Sequence, residues 1–342
     1  VVFKVLEISV KSEQAFSAPS KSAVRTASID QSLSPMQSKK ENLKSDIQFP
    51  PALQPGDRLN LVAPSGALIS ETWAKGLEIW RQRGYQVELS PGYDRVWGYL
   101  AGTDSNRRQQ LTESWRDRLC NGVLCARGGY GAARLLENWH WPKDTSGQLN
   151  PKWLIGFSDI TALLWSLYQQ GVGAVHGPVL TTLPDEPDWS VQRLFDLVEG
   201  RPLAPLTGEG WGGGKVSGRL LAGNLTVATY LLHTPVQPSL DGVILAFEDV
   251  GEAPYRIDRM LTQWRMMGAF AGVRGIALGR FSDCDNLAKN PSLTVAEVLR
   301  DRLSDLGIPI VSDLPFGHDG VNAVLPVGAI VELDGQIGTL SF

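Results

Sequence analysis

Trp153-Leu154-Ile155-Gly156-Phe157-Ser158-Asp159-Ile160-Thr161 decides the fold. Trp153–Phe157 reads as a short buried strand, and Ile160–Gln170 has the length and apolar content of a helix. Only Ser158 and Asp159 separate them, so strand passes to helix through a very tight turn. The same unit recurs upstream. Arg58–Ala63 is a strand candidate closed by Pro64-Ser65-Gly66, followed by a helix over Glu71–Gly84 and a strand over Tyr85–Leu89. A helix over Asn106–Leu119, a strand over Gly122–Ala126, the turn Arg127-Gly128-Gly129-Tyr130-Gly131 and a helix from Ala132 to about Trp139 complete the series. Alternation of this kind predicts an α/β domain, a parallel sheet with helices on both faces. Ligands in such sheets sit beyond the carboxyl ends of the strands, where the Gly128-Gly129 and Ser158 turns fall.

Beyond Leu183 the pattern changes. Pro184, Pro187, Pro202 and Pro205 cluster, and Gly208–Gly214 is glycine-dense, so residues 186–214 are expected to link two domains, 49–185 and 215–342. The second reads as smaller and β-rich, with strands over Val243–Phe247, Gly275–Phe281, Ile308–Val311 and Ala329–Leu333 and helices over Asn224–Leu232 and Tyr255–Met267. Val1–Gln48 holds ten serines and no glycine or tryptophan, although the whole chain has 36 Gly and 11 Trp; this predicts a disordered extension.

Composition narrows the function. A formal net charge of -4, from 32 Lys+Arg against 36 Asp+Glu, argues against nucleic acid as a partner, since phosphate binding needs a basic field. Three cysteines make no disulfide framework and fit a reducing, cytoplasmic setting. No apolar run reaches the ~18 residues of a membrane span. Gly208–Gly213 matches G-x-G-x-x-G but follows a Pro-rich stretch and precedes no helix, so it is not a dinucleotide fingerprint; Val216 after Gly214-Lys215 breaks a P-loop. H-E-x-x-H and paired C-x-x-C are both missing, so no metal or cofactor is expected. Ser282-Asp283-Cys284-Asp285 reads as a loop.

Ser158, between strand and helix start, has the placement of a nucleophile elbow, although Ile160 replaces the second Gly of G-x-S-x-G and serine is also an ordinary helix cap. A serine nucleophile needs a base, and the chain has four histidines. His140 lies in an aromatic-rich insertion and His233 at a helix end, which leaves His318, in the glycine-flanked loop Pro315–Gly320, and His176, after an apolar strand. Spacing does not separate these two. Glu248, the first polar residue after Val243–Phe247, is the candidate orienting acid, with a solvated strand end as the alternative. The Arg127–Gly131 turn offers backbone N–H groups to an anion or an oxyanion.

Pro55-Gly56-Asp57 leading to Ala63-Pro64-Ser65, Arg127-Gly128-Gly129-Tyr130-Gly131, Gly156-Phe157-Ser158-Asp159, Leu221-Ala222-Gly223-Asn224-Leu225, Glu248–Tyr255 and Gly317-His318 together resemble the LD-carboxypeptidases. The resemblance runs in order from about Pro50 to the C-terminus. It implies a flavodoxin-like N-terminal domain, a smaller β-rich C-terminal domain and a cofactor-free serine peptidase. The substrate would be a murein tetrapeptide, cleaved between an L-centre and a terminal D-Ala during peptidoglycan recycling, by an enzyme acting as a homodimer. Matched residue by residue, the resemblance makes Ser158 the nucleophile, Glu248 the acid and His318 the base, against His176. The backbone N–H groups of Asp159 and Gly129 would form the oxyanion hole, and Asn224 and Tyr130 would contact substrate. A relative within that family cleaves peptide-nucleotide antibiotics instead. Outside it stand a non-catalytic nucleotide or anion binder using the Gly128–Gly131 turn, and an unrelated α/β esterase.

Overall fold

The computed structural model describes residues 47–69, 71–287 and 291–342. Most of the expected extension, residues 1–46, lies outside them. Gln48, assigned to that extension from composition, belongs to the fold: its N–H donates to Gly171 O (2.9 Å) and its carbonyl accepts from Gly173 N (2.9 Å), while Ile47 packs on the core.

The first half alternates as its apolar pattern requires. The strands are β1 (Arg58–Val62), β2 (Gln86–Leu89), β3 (Cys120–Cys125), β4 (Trp153–Gly156) and β5 (Ala174–His176), and the helices α1 (Thr72–Gln82), α2 (Asp104–Arg116), α3 (Ala132–Leu135), α4 (Thr161–Gln169) and α5 (Asp188–Val198). β1 to β5 are all parallel, in the order 2-1-3-4-5, which is the flavodoxin-like arrangement. α2 starts two residues earlier than its periodicity predicts, because Thr103 and Asn106 close a reciprocal capping box. α3 stops at Leu135, well short of Trp139.

The expected linker carries structure. Besides α5 it contains β6 (Leu206–Thr207) and β7 (Glu209–Gly210), which form the two edges of a second sheet. Its centre is four parallel strands, β8 (Lys215–Asn224), β9 (Val243–Val250), β10 (Gly275–Ser282) and β11 (Ile310–Ser312), with α6 (Leu225–Leu231), α7 (Pro254–Met266) and α8 (Val295–Leu303) in the connections. β12 (Leu325–Val327) leaves this sheet altogether and pairs antiparallel with β5 in the first one. β13 (Ile330–Asp334) and β14 (Thr339–Ser341) then return to the second.

One face of the first sheet buries Trp80, Tyr85 and Phe195 with Leu59 and Leu61. The other face shares a continuous apolar core with the second sheet, and α4 lies in that joint. Trp165 on α4 is fully buried and donates Nε1–H to Ala222 O (2.9 Å), while Thr161 Oγ1 accepts from Asn224 N (2.9 Å). The helix that follows Ser158 therefore fixes the end of β8. Replacing Trp165 by Ala deletes the largest buried side chain of α4 and leaves the Ala222 carbonyl unpaired. The expected cost is about 3–5 kcal/mol in urea unfolding, and a loss below about 1 kcal/mol would show that the two sheets do not depend on this helix.

Candidate active site

Ser158 leaves β4 in a single 3₁₀ turn, Ser158–Ile160, with φ +61°. A left-handed non-glycine residue is held there only by its surroundings, and here they can be named. The next residue, Asp159, is buried and its Oδ2 accepts from Ser65 Oγ (2.6 Å) in the β1 turn and from Ala132 N (2.7 Å) after the β3 turn. Burial raises the Asp159 pKa, and these hydrogen bonds act in the opposite direction to hold the charge. From the other side, fully buried Arg107 donates Nη1–H to Pro64 O and to Gly131 O (2.9 Å).

Gly128 lies directly against the serine. A Cβ at Gly128 would come within 2.9 Å of Ser158 Cβ and 3.0 Å of its Oγ, so any side chain there would displace the hydroxyl. Gly129 has φ +118°, and its N–H makes no hydrogen bond among the described residues. Tyr130, 54% exposed, stands at the rim with its ring 5.6 Å from that of Tyr99.

Glu248 on β9 and Asn224 at the end of β8 face each other in the register of the parallel pair. Glu248 is fully buried, and its Oε2 lies 2.6 Å from Nδ1 of His318. The side chain of Asp249, adjacent in sequence, is used differently: it accepts from Asn224 Nδ2 (3.0 Å), Thr226 N (2.9 Å) and Thr226 Oγ1 (2.8 Å). Burial, with Glu248 beside it, pushes Asp249 up to about 6. Asn224 caps α6 by accepting from Val227 N (3.1 Å), so both ends of its side chain are engaged within the protein.

His318 is carried by a loop pinned on several sides. Arg280 N donates to Phe316 O (2.8 Å), Gly317 N to Asn322 Oδ1 (3.2 Å), and Asn322 N to Glu186 Oε2 (2.9 Å). The Arg280 guanidinium pairs with Asp313 and reaches Asp319 (3.6 Å). Sequence reasoning singled out none of Arg107, Glu186, Arg280 or Asn322; a lone charged or amide residue carries no local signal of what it will hold. The Phe157 ring, one residue before Ser158, lies with its centroid 4.6 Å from that of the His318 ring. Among the described residues the Ser158 hydroxyl makes no hydrogen bond, and the one side-chain partner of His318 is Glu248.

The other histidines part company with this group. His140 and His233 are exposed. His176 is fully buried between Phe157 and Phe316, and neither ring nitrogen has a partner among the described residues. A groove of about 960 Å³ lies elsewhere, between Trp139 and His140 on one side and Gln169 and Tyr230 on the other. It holds none of the candidate residues and no comparable acid–base pair. No cluster of three His, Cys, Asp or Glu that could hold a metal occurs among the described residues, and no helix there is long and apolar enough to cross a membrane.

The two central histidines titrate in opposite directions. Burial drives His176 down to about 4. Burial also works against a charged His318, but the Glu248 carboxylate outweighs it and the net shift is upward from 6.5. NMR titration of the histidine rings is expected to give one midpoint near 4 and one above 6.5. In Glu248→Gln the upper midpoint should fall, since burial is then less opposed; an unmoved midpoint would refute the ion-pair account.

Two family models match this chain: the LD-carboxypeptidase N-terminal domain over residues 59–177 and the LD-carboxypeptidase C-terminal domain over residues 217–333. A protein of Synechocystis sp. provisionally named as a carboxypeptidase is 60% identical over 302 residues, 88% of this chain and 99% of the relative. The murein tetrapeptide carboxypeptidase of Pseudomonas aeruginosa is 32% identical over 303 residues, 83% of this chain and 95% of the relative. Among solved structures, a muramoyltetrapeptide carboxypeptidase from Oxalobacter formigenes superposes with a TM-score of 0.73 at 26% identity, covering 83% of this chain and 97% of the other. The microcin C7 self immunity protein MccF, at 22% identity and a TM-score of 0.74 over 85% of this chain and 97% of its own, shares the fold. With both domain models matched in order around the carboxyl-edge turns, the chain belongs to the LD-carboxypeptidase family.

Proposed function

We propose that this protein is a serine LD-carboxypeptidase that hydrolyses the amide between an L-configured diamino-acid centre and the terminal D-Ala of murein tetrapeptides. The observation that carries the reading is the 2.6 Å contact between His318 Nδ1 and the fully buried Glu248, set beside the left-handed Ser158 turn. The names of the Pseudomonas and Oxalobacter relatives support the substrate class.

In this mechanism Glu248 holds the His318 tautomer that carries its proton on Nδ1, leaving Nε2 free to take the Ser158 proton. Ser158 attacks the scissile carbonyl, and the imidazolium that forms is stabilised by a carboxylate whose charge water cannot screen. The tetrahedral oxyanion is held by the N–H groups of Asp159 and Gly129, the latter without a competing acceptor among the described residues. His318 then protonates the departing D-Ala amine, and water hydrolyses the acyl-enzyme. Tyr130 contacts substrate from the rim. Asn224 acts here through Asp249 and Thr161, holding the end of β8 beside Glu248, rather than by direct contact.

Ser158→Ala and His318→Ala are each expected to lower kcat by about 10³–10⁶-fold with folding retained, measured as alanine release from a murein tetrapeptide. Activity within a few-fold of wild type in either variant would dismiss the triad.

The second expectation is stereochemical. Inverting the acyl-side centre swings its side chain to where the peptide backbone should lie, so the carbonyl oxygen no longer points at the Asp159 and Gly129 amides. Each 1.4 kcal/mol lost from that near-attack geometry is about tenfold in rate. Matched peptides differing only at that centre should therefore separate widely, with D-Ala–D-Ala termini left intact. Equal release from both would remove the LD specificity while leaving a serine hydrolase.

A further inference from the structure

Arg127 opens the glycine turn after β3, yet neither the fold nor the triad uses its charge. β1 and β3 are neighbours whose connections run to opposite sides of the sheet, so this turn lies at the switch point of the strand order. The half-buried Arg127 side chain lies across the β1 turn and donates Nη1–H to Ala67 O (2.9 Å). A Cβ on Gly66 would come 3.3 Å from its Nε, and one on Gly129 would come 3.8 Å from its Nη2. The fork formed by Nε and Nη2 thus borders the space between two glycine turns, and the next residue, Gly128, is the one packed against Ser158. On neighbouring elements Arg107 and Arg134 are both neutralised by Asp104. Arg127 has no acidic partner among the described residues.

A guanidinium with one N–H engaged and its Nε/Nη2 edge unpaired is suited to a carboxylate, which it binds through two parallel hydrogen bonds. Carboxypeptidase chemistry supplies one at a fixed place. The scissile carbonyl carbon and the terminal carboxylate carbon are joined through one N and one Cα, and bond lengths keep them within about 4 Å. The cation that recognises the free terminus must therefore stand about one residue away from the nucleophile. Arg280, the guanidinium behind the His318 loop, is already paired with Asp313 and Asp319.

We propose that Arg127 binds the terminal carboxylate of the leaving residue and so confines the enzyme to the free C-terminus. This rests on the carboxypeptidase reading above and adds the group that makes the cleavage terminal.

The test compares a tetrapeptide with its C-terminal carboxamide, in the full chain and in Arg127→Gln and Arg127→Lys. Wild type should favour the free acid by about 10–100-fold in kcat/KM, the usual weight of a hydrogen bond to a charged group. Arg127→Gln should bring that ratio close to one, chiefly through a higher KM for the acid, and Arg127→Lys should keep an intermediate preference. Protection of Ser158 from a phosphonate label by D-Ala should be present in wild type and lost in Arg127→Gln. An Arg127→Gln enzyme that keeps the wild-type preference overturns the proposal. So does a wild type that cleaves acid and amide equally, which needs no variant to fold. Failure of the underlying serine-peptidase reading looks different: Ser158→Ala would retain turnover and Ser158 would take no label.

Discussion

The carboxyl edge of the first sheet depends on one buried carboxylate. Asp159 takes a hydroxyl from the β1 turn and an amide from the β3 turn, and it is covalently next to the residue that ends the β4 turn. Three separate loops are thereby fused at one point, with Arg107 gripping two of them from beneath. Removing such an acceptor would leave buried donors unpaired, at about 1–3 kcal/mol each. The left-handed backbone of Ser158 is a local cost of ~1–3 kcal/mol, and this surrounding network is large enough to impose it.

The second sheet contributes electrostatics rather than backbone geometry. Two imidazoles meet the same aromatic wedge, with Phe157 packed against both. Deep burial drives the His176 ring down, while the carboxylate that His318 reaches outweighs burial there and sends its proton affinity up. Divergent titration of neighbouring groups is the usual mark of a division of labour, one group exchanging protons and the other filling space. His176 is held neutral and unpartnered among the described residues, and so behaves as an aromatic core residue.

Much of this was legible in the chain because parallel strands buried on both faces write themselves as short apolar runs, as β4, the first five residues of β9 and the Val123–Cys125 end of β3 do, while β1 shows the weaker alternation of Leu59 and Leu61 with partly buried Arg58 and Asn60. Alternation of strand and helix then fixed which turns share an edge. The choice between His176 and His318 was not local: it depends on a contact with Glu248, 70 residues away, and only the resemblance to a family separated them. α5 is concealed by prolines that signal a linker, although Pro187 stands at its N-terminus as a start. α8 carries a local start signal, the capping box of Thr294 and Glu297. Two-residue edge strands such as β6 and β7 have no pattern to read. Arg107 and Asp159 look like any surface charge until the fold surrounds them.

The excursion of β12 has a consequence for how the chain can be divided. After His318 the polypeptide returns to the first sheet and closes the side of β5, then goes back to finish the second. A fragment ending after α5 would leave β5 with a row of open backbone donors and acceptors along an apolar strand, a template for pairing with other chains. The complementary fragment would carry β12 with no sheet of its own to join. The halves recognised by separate family models are thus stitched into one covalent weave. Recombination, truncation or circular permutation at the proline-rich junction would sever a shared sheet, so neither half is a free-standing module.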